Sequence, residues 1–396
     1  DDPTDAAPTP VVRNFAKEWV AAGHEVILVH NFNIFPKILY YVPQLIWDKL
    51  SAKKGFRTIL SLNQTFDVSY ERDGVKVYRS TIKKPMPLCS YTEGELKRSI
   101  EKIHKILQDN NFTPDLIVAH MENPQLFQLA QLKSIYPKAK TSLVFHQIDY
   151  LHKPKYDKWK VEYLPLIDKV GFRSKEAYRE ASRLIGFNRD DYFMCPSGIS
   201  DKFIESEPPY DSKFTDYKLR ILYVGTFIPR KHVETIICAV NQILKITKVD
   251  ITVNLIGGGL LEEDMKKLVR ELGMTNVVNF RGRMAHDKVL EMMRESDVFI
   301  MVSEREVFGL VYTEAMSQGC VVIASERGGM EGIVQDGVNG YMSTAGDVNS
   351  LVDKLQTIIH QGRDRNIAVS KESYKTAMKY TEKAVAEQYL KSIMKE

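Results

Sequence analysis

The stretch Glu306-Val-Phe-Gly-Leu-Val-Tyr-Thr-Glu-Ala-Met-Ser-Gln-Gly319 decides how this chain is read. Two carboxylates, Glu306 and Glu314, frame it. The apolar run Asp297-Val-Phe-Ile-Met-Val302 stands before it and has the length and composition of a buried strand. Gly309 opens a predicted helix that contains Glu314, Gly319 closes it, and a second apolar run, Val321-Val-Ile-Ala324, follows. That order is a βαβ unit, whose loop and helix start face a ligand at the carboxyl ends of the strands. Backbone amides at such a helix start attract phosphate. A carboxylate one turn in accepts hydrogen bonds from sugar hydroxyls. The plainer reading of an acidic loop residue and a solvated helix glutamate yields to the flanking Phe308-Gly309-Leu310 and Ala315-Met-Ser-Gln-Gly319.

The same alternation extends outward in both directions. A new α/β domain begins at Leu219-Arg-Ile-Leu-Tyr-Val224 and continues through Ile251-Thr-Val-Asn-Leu-Ile256 and Val277-Val-Asn-Phe280. From residue 25 to about 190, short β-branched runs (Glu25–Val29, Thr58–Ser61, Val75–Tyr78, Asp115–Ala119, Thr141–Phe145) alternate with helical patterns near 93–108, 124–135 and 175–186. This predicts parallel sheets with helices on both faces. The chain has 396 residues, more than one ordinary core supports, so two domains are expected. Glu205 to Asp216 reads as a polar linker. The predicted division is therefore 1–204 and 205–370, with a C-terminal helix over 371–396 returning to the first domain.

Composition narrows the class. Hydrophobic content of 44% and charged content of 27% describe a globular protein, and a net charge of +4 is too small to dictate a partner. Cys89, Cys195, Cys238 and Cys320 lie far apart with no C-x-x-C pair, which predicts buried free thiols rather than a metal site or disulfide framework. No run approaches transmembrane length and no signal peptide is visible, so the cytoplasm is the expected location. An oxidoreductase would need a strand-G-x-G-x-x-G-helix with a following acidic residue, and that pattern is missing. A hinged two-domain binding protein would be expected to carry an export signal. A nucleotide-sugar hydrolase or epimerase is the alternative enzyme, and it would need dedicated acid and base carboxylates.

The block at 306–319 resembles the E-x7-E signature of the retaining, nucleotide-sugar-dependent glycosyltransferases of family 4, which have the GT-B fold. The resemblance is strongest over 219–346. Gly257-Gly-Gly259 looks like the family's glycine-rich turn, and Asn279-Phe-Arg-Gly282, with Arg281, like the segment that contacts the base. Met194-Cys-Pro-Ser-Gly-Ile199 looks like the interdomain turn, with Ser197 in place of asparagine. The resemblance implies two Rossmann-like doubly wound domains facing a central cleft. It also implies a UDP- or GDP-sugar donor, no metal or other cofactor, and transfer with retention. Glu314 would bind ribose hydroxyls and Glu306 the transferred sugar, with the amides of Phe308, Gly309 and Leu310 facing sugar and phosphate.

Gly225-Thr-Phe-Ile-Pro-Arg-Lys231 resembles the family's G-R-L-x-x-x-K, in which arginine and lysine neutralise the diphosphate. Lys231 matches the lysine. Thr226 stands where arginine is expected, so Arg230 takes its place, another basic residue does, or diphosphate is held more weakly. His146, ending Ser142-Leu-Val-Phe-His, matches a histidine that faces the donor sugar, while His120 is equally well a hydrogen-bonded strand-end residue. In the family a first strand precedes the helix at 11–22, so a few N-terminal residues are expected to be missing here. Finally, residues 35–57 mix Tyr40, Tyr41 and Trp47 with Lys37, Lys49, Lys53, Lys54 and Arg57. That composition suits either an interfacial membrane contact or an ordinary packed helix. A glycan or polyprenyl-linked acceptor is expected, in cell-envelope polysaccharide assembly, and no nucleic acid.

Overall fold

A computed structural model describes residues 11–43, 66–87, 89–148, 150–215 and 218–394. The strand expected at 58–61, the turn-rich start and most of the basic aromatic stretch after residue 43 lie outside the described residues.

The chain divides into two compact units. One comprises Asp1–Gly171, Arg183–Phe193 and Ala386–Glu396, the other Phe172–Ser182 and Met194–Val385. This division lies elsewhere than the 204/205 boundary read from the sequence, and packing gives the reason. Ile199 accepts a hydrogen bond from the Glu382 amide and donates to Tyr380, and any side chain at Gly198 would run into the Glu382 backbone. The supposed linker is not a solvated tether. Lys213 is fully buried, giving its ammonium to the Met293 and Ser296 carbonyls, and the Phe214 amide donates to Asp297 at 2.7 Å.

In the first unit, α1 (Val11–Ala21) buries Phe15, Ala16 and Trp19, and Gly23 at φ +91° ends it. Strand β1 (Ile27–Ile34) pairs in parallel with β3 (Val75–Lys83), but β2 (Val68–Arg72) runs antiparallel to β3. The all-parallel expectation therefore fails here. Asp73 and Gly74 both take positive φ (52° and 74°), the two-residue hairpin turn that matches strand twist. A four-stranded sheet follows in the order β4 (Leu116–His120), β5 (Lys140–Phe145), β6 (Lys169–Phe172) and β7 (Tyr192–Met194). Helices α2 (Glu93–Asp109) and α3 (Gln125–Ile135), and α4 (Lys175–Ile185), whose residues up to Ser182 belong to the other unit, fall where the sequence places them. Thr92 caps α2 by accepting from the Glu95 amide at 3.3 Å. Of the cysteines, Cys195 and Cys320 are buried as expected, whereas Cys238 is partly buried and Cys89 exposed.

The second unit is built on β8 (Lys218–Thr226), β9 (Asp250–Gly258), β10 (Val278–Gly282), β11 (Val298–Met301), β12 (Val321–Ser325) and β13 (Tyr341–Ser343). Their spatial order is β10-β9-β8-β11-β12-β13, and all pairings are parallel. Helices α5 (Val233–Leu244), α6 (Glu262–Glu271), α7 (His286–Glu295), α8 (Leu310–Ser317), α9 (Val348–His360) and α10 (Gly362–Ala377) cover the sheet. The central strand β11 is apolar at every position because both faces are covered: Val298, Phe299 and Ile300 show no exposure. The chain leaves β8 towards β9 on one side and reaches β11 on the other, so the order reverses between β8 and β11. In an open parallel sheet, ligands bind at that reversal, beyond the carboxyl ends. The tail expected to be one helix over 371–396 is two, α10 and α11 (Glu382–Met394), broken by a tight turn at Met378–Tyr380.

Candidate active site

The loops after β8 and β11 bring Lys231 and Glu306 together. The Lys231 ammonium is in direct contact with the Glu306 carboxylate and lies 3.5 Å from the Met301 sulfur. Lys231 is only 8% exposed. Burial pushes its ammonium below the ordinary lysine range, and Glu306 works against that shift. The Arg230 guanidinium stands 3.6 Å from the same carboxylate, and the Glu304 amide donates to the Arg230 carbonyl at 2.8 Å, tying the two loops. Thr226 is exposed. Arg230, in the same loop, is the second cation beside the Glu306 carboxylate.

Gly309, at φ +77°, is where the loop turns into α8, and a methyl there would come within 2.6 Å of the Tyr312 ring and 3.0 Å of Glu306. Only glycine combines that backbone with that crowding. Tyr312 is buried and donates its hydroxyl to the Met301 carbonyl, fixing the start of α8 to the end of β11. Phe308 is buried, its ring 5.9 Å from Tyr380 and 5.9 Å from the Arg173 guanidinium. Leu310 is the first helical residue. Gly225 and Gly257 are paired across β8 and β9, and a Cβ on Gly257 would sit 1.8 Å from the Gly225 carbonyl. Their role is close backbone approach, which sets the path of the loop carrying Lys231.

Glu314, one turn into α8, is 6% exposed. Its Oε1 lies 3.2 Å from His286 Nε2, and the His286 ring packs 4.8 Å from Phe203. The hydrogen bond with Glu314 raises the His286 imidazolium above its ordinary range, against the opposing effect of burial. Stability from this pair is fully present below the unfolded histidine value of about 6.5 and is lost as pH rises through the elevated folded value. The His286 side chain is 56% exposed, so screening holds the contribution below about 1 kcal/mol. Thermal melts of the parent and His286→Ala should therefore differ more near about pH 5.5 than near about pH 9. An equal gap at both would remove the charge from the pair.

Arg281 is exposed at the sheet edge and donates from Nε to Asn254 at 2.8 Å. His146 belongs to the first unit, at the carboxyl end of β5, with Nε2 3.1 Å from His120 Nδ1. His120 packs among Phe15 and Tyr389 in that unit, as a strand-end residue does. The sequence reading missed His286 and the pair Gly328-Gly329. A Cβ on Gly329 would fall 2.2 Å from the Phe308 carbonyl, so the loop after β12 lies against the 306–308 loop. A Gly-Gly pair in the loop following a predicted strand is the signal that was available.

Residues 209–376 match the family model described as Glycosyl transferases group 1. Sulfoquinovosyl transferase SQD2 of Arabidopsis thaliana is 38% identical over 146 residues, 35% of this chain and 28% of that protein. The chain thus spans well under half the length of the curated relatives it matches, 28% and 38% for the first two. Sucrose-phosphate synthase from Thermosynechococcus elongatus superposes with a TM-score of 0.65 at 19% identity, over 96% of this chain and 91% of that one. HepE from Anabaena, in complex with UDP and glucose, gives a TM-score of 0.60 at 18% identity, over 98% and 97%. These likenesses extend across nearly the whole chain and identify the fold as GT-B, with two Rossmann-like domains.

Proposed function

We propose that the protein is a retaining glycosyltransferase that moves a sugar from a UDP- or GDP-sugar to a glycan or lipid-linked glycan acceptor in cell-envelope polysaccharide assembly. The observation that carries this reading is the buried Lys231–Glu306 pair at the strand-order reversal, beside the start of α8 and with Glu314 one turn further on. Departure of a nucleoside diphosphate builds negative charge. Lys231, Arg230 and the amides around Phe308, Gly309 and Leu310 are fixed donors for that charge before it develops. Diphosphate competes with Glu306 for the Lys231 ammonium, which frees the carboxylate to accept from hydroxyls of the transferred sugar. Glu314 takes the ribose hydroxyls. His146 is the proposed histidine contact to the donor sugar. The acceptor attacks on the face the leaving phosphate vacates, and that phosphate helps to take the acceptor proton. The HepE complex supports a UDP-sugar among the candidate donors.

In this reading the cations replace a metal. Incubation with a panel of nucleotide sugars should release nucleoside diphosphate in an acceptor-dependent manner, and EDTA should leave the rate nearly intact. Release independent of acceptor would favour a hydrolase, and loss restored by manganese or magnesium would overturn the metal-free scheme.

The cytoplasmic face of a membrane is the proposed location. The described part of the basic aromatic stretch supports it, because Ile38 and Tyr41 in the turn at Lys37–Tyr41 are 74% and 73% exposed. Co-sedimentation with anionic vesicles should fall as salt rises, and equal recovery with neutral vesicles would remove the membrane contact.

A further inference from the structure

Lys84 directly follows β3, and its amide donates to the Ile34 carbonyl at the end of β1, at 2.8 Å. It therefore stands at the carboxyl edge of the one parallel pair in its sheet, where this class of sheet takes ligands. Its side chain is unusual for a lysine, since the residue is only 6% exposed. A buried ammonium normally has a carboxylate or several carbonyls around it. Among the described residues Lys84 has neither. Its ammonium lies over the face of Tyr91, 4.4 Å from the ring centre. A cation–π contact is worth about 0.5–2 kcal/mol, well short of the cost of removing an ammonium from water.

The surroundings add positive charge rather than balancing it. Lys155 lies over the Tyr156 ring at 5.1 Å and is held by Ser90 Oγ at 2.7 Å, and Lys153 lies over Tyr150 at 4.6 Å. Burial and then Lys155 push the Lys84 ammonium below the ordinary lysine range. Among the described residues, the carboxylates around the cluster have other partners: Glu122 accepts from the Tyr150 and Leu151 amides, and Glu95 from the Lys83 amide and Arg98. The rings are fixed as well. Tyr91 donates its hydroxyl to Asn33 at 2.6 Å, and Tyr150 and Tyr156 pack edge to face at 5.9 Å.

We propose that this cluster is a phosphate-binding site, in which Lys84 and Lys155 hold a phosphate group of the sugar acceptor beside the rings of Tyr91, Tyr150 and Tyr156 that position them. The acceptor role rests on the transferase reading above, whereas the phosphate site itself does not. The shared chemistry is a phosphate ester, either on a soluble sugar or on a lipid carrier. An incoming dianion supplies the counter-charge that Lys84 lacks among the described residues, and charge-assisted hydrogen bonds to it are the strong kind.

Calorimetry with inorganic phosphate and with glucose 1-phosphate tests the soluble source. Flotation with zwitterionic vesicles, with and without phosphatidic acid, tests the lipid source. One of the two phosphate esters should bind the parent, and Lys84→Met, close to Lys84 in volume, should weaken that binding at least tenfold. Lys83→Met, at an exposed neighbour, should leave it unchanged, and the nucleoside diphosphate should bind Lys84→Met as it binds the parent. That last arm separates this site from the donor site: if the donor fails to bind the parent, the transferase reading falls and the phosphate result still stands. Should Lys84→Met not fold, Lys155→Met carries the same expectation. Absence of binding by every phosphate probe, or equal binding by parent and variant, would overturn the proposal.

Discussion

Lys231→Ala is expected to lower kcat by about 10²–10³-fold, the loss of about 2.7–4 kcal/mol seen when one fixed donor to a developing charge is removed. Affinity for the free nucleoside diphosphate should fall less, because charge on the leaving group grows towards the transition state. Two effects compete in such a variant. The substitution also leaves Glu306, whose side chain is 16% exposed, with Arg230 at 3.6 Å as its remaining cation. Some loss of thermal stability is therefore expected and must be measured beside kcat. Lys231→Met, which restores volume without charge, should recover part of the melting temperature and none of the rate. Rates within about threefold of the parent would exclude Lys231 from leaving-group stabilisation. Thr226→Arg gives the complementary measurement. Since Arg230 already stands beside Glu306, the added arginine should change nucleoside diphosphate affinity by less than about threefold, under about 0.7 kcal/mol. A large gain would mean that Arg230 does not fill the vacant place.

The parts of this site that the sequence made legible are those set by a single βαβ unit. Glu306, Gly309 and Glu314 were singled out by the resemblance of the block at 306–319, which is readable because the strand end, the loop and the first helical turns lie within one short segment. Lys231 was singled out likewise, by the resemblance of Gly225–Lys231 after β8 to the family's motif. The parts that were hidden come from other strands. His286 reaches Glu314 from the start of α7, and Gly329 reaches Phe308 from the loop after β12. Neither contact has a sequence spacing, only a position in the sheet order. The antiparallel β2 is a different case. Asp73-Gly74 is a strong hairpin signal between two alternating runs, and the reading passed over it in favour of the βαβ rhythm on either side. Lys84 was visible only as one of two adjacent lysines. Burial without a counter-charge is a tertiary property, and no local pattern announces it.

Glu314→Ala should raise the donor dissociation constant by about 10–100-fold, since a charge-assisted hydrogen bond to a ligand contributes about 1.5–3 kcal/mol. The geometry leaves room for this role. His286 engages Oε1, while Oε2 carries no hydrogen bond among the described residues, and α8 presents the carboxylate from its second turn. A vicinal pair of ribose hydroxyls can therefore donate to the free oxygen without displacing the histidine. Glu314→Gln keeps an acceptor of the same shape and loses only the charge, so its loss should be smaller, about 1 kcal/mol. The same substitution removes the carboxylate that raises His286, so the pH dependence expected in the thermal melts should shrink along with donor affinity. A structural role for Glu314 would instead lower stability and leave affinity alone. Calorimetry with UDP and with GDP separates the two: unchanged affinity in both Glu314 variants, with a lowered melting temperature, would move Glu314 from the donor site into the packing of α8 against α7.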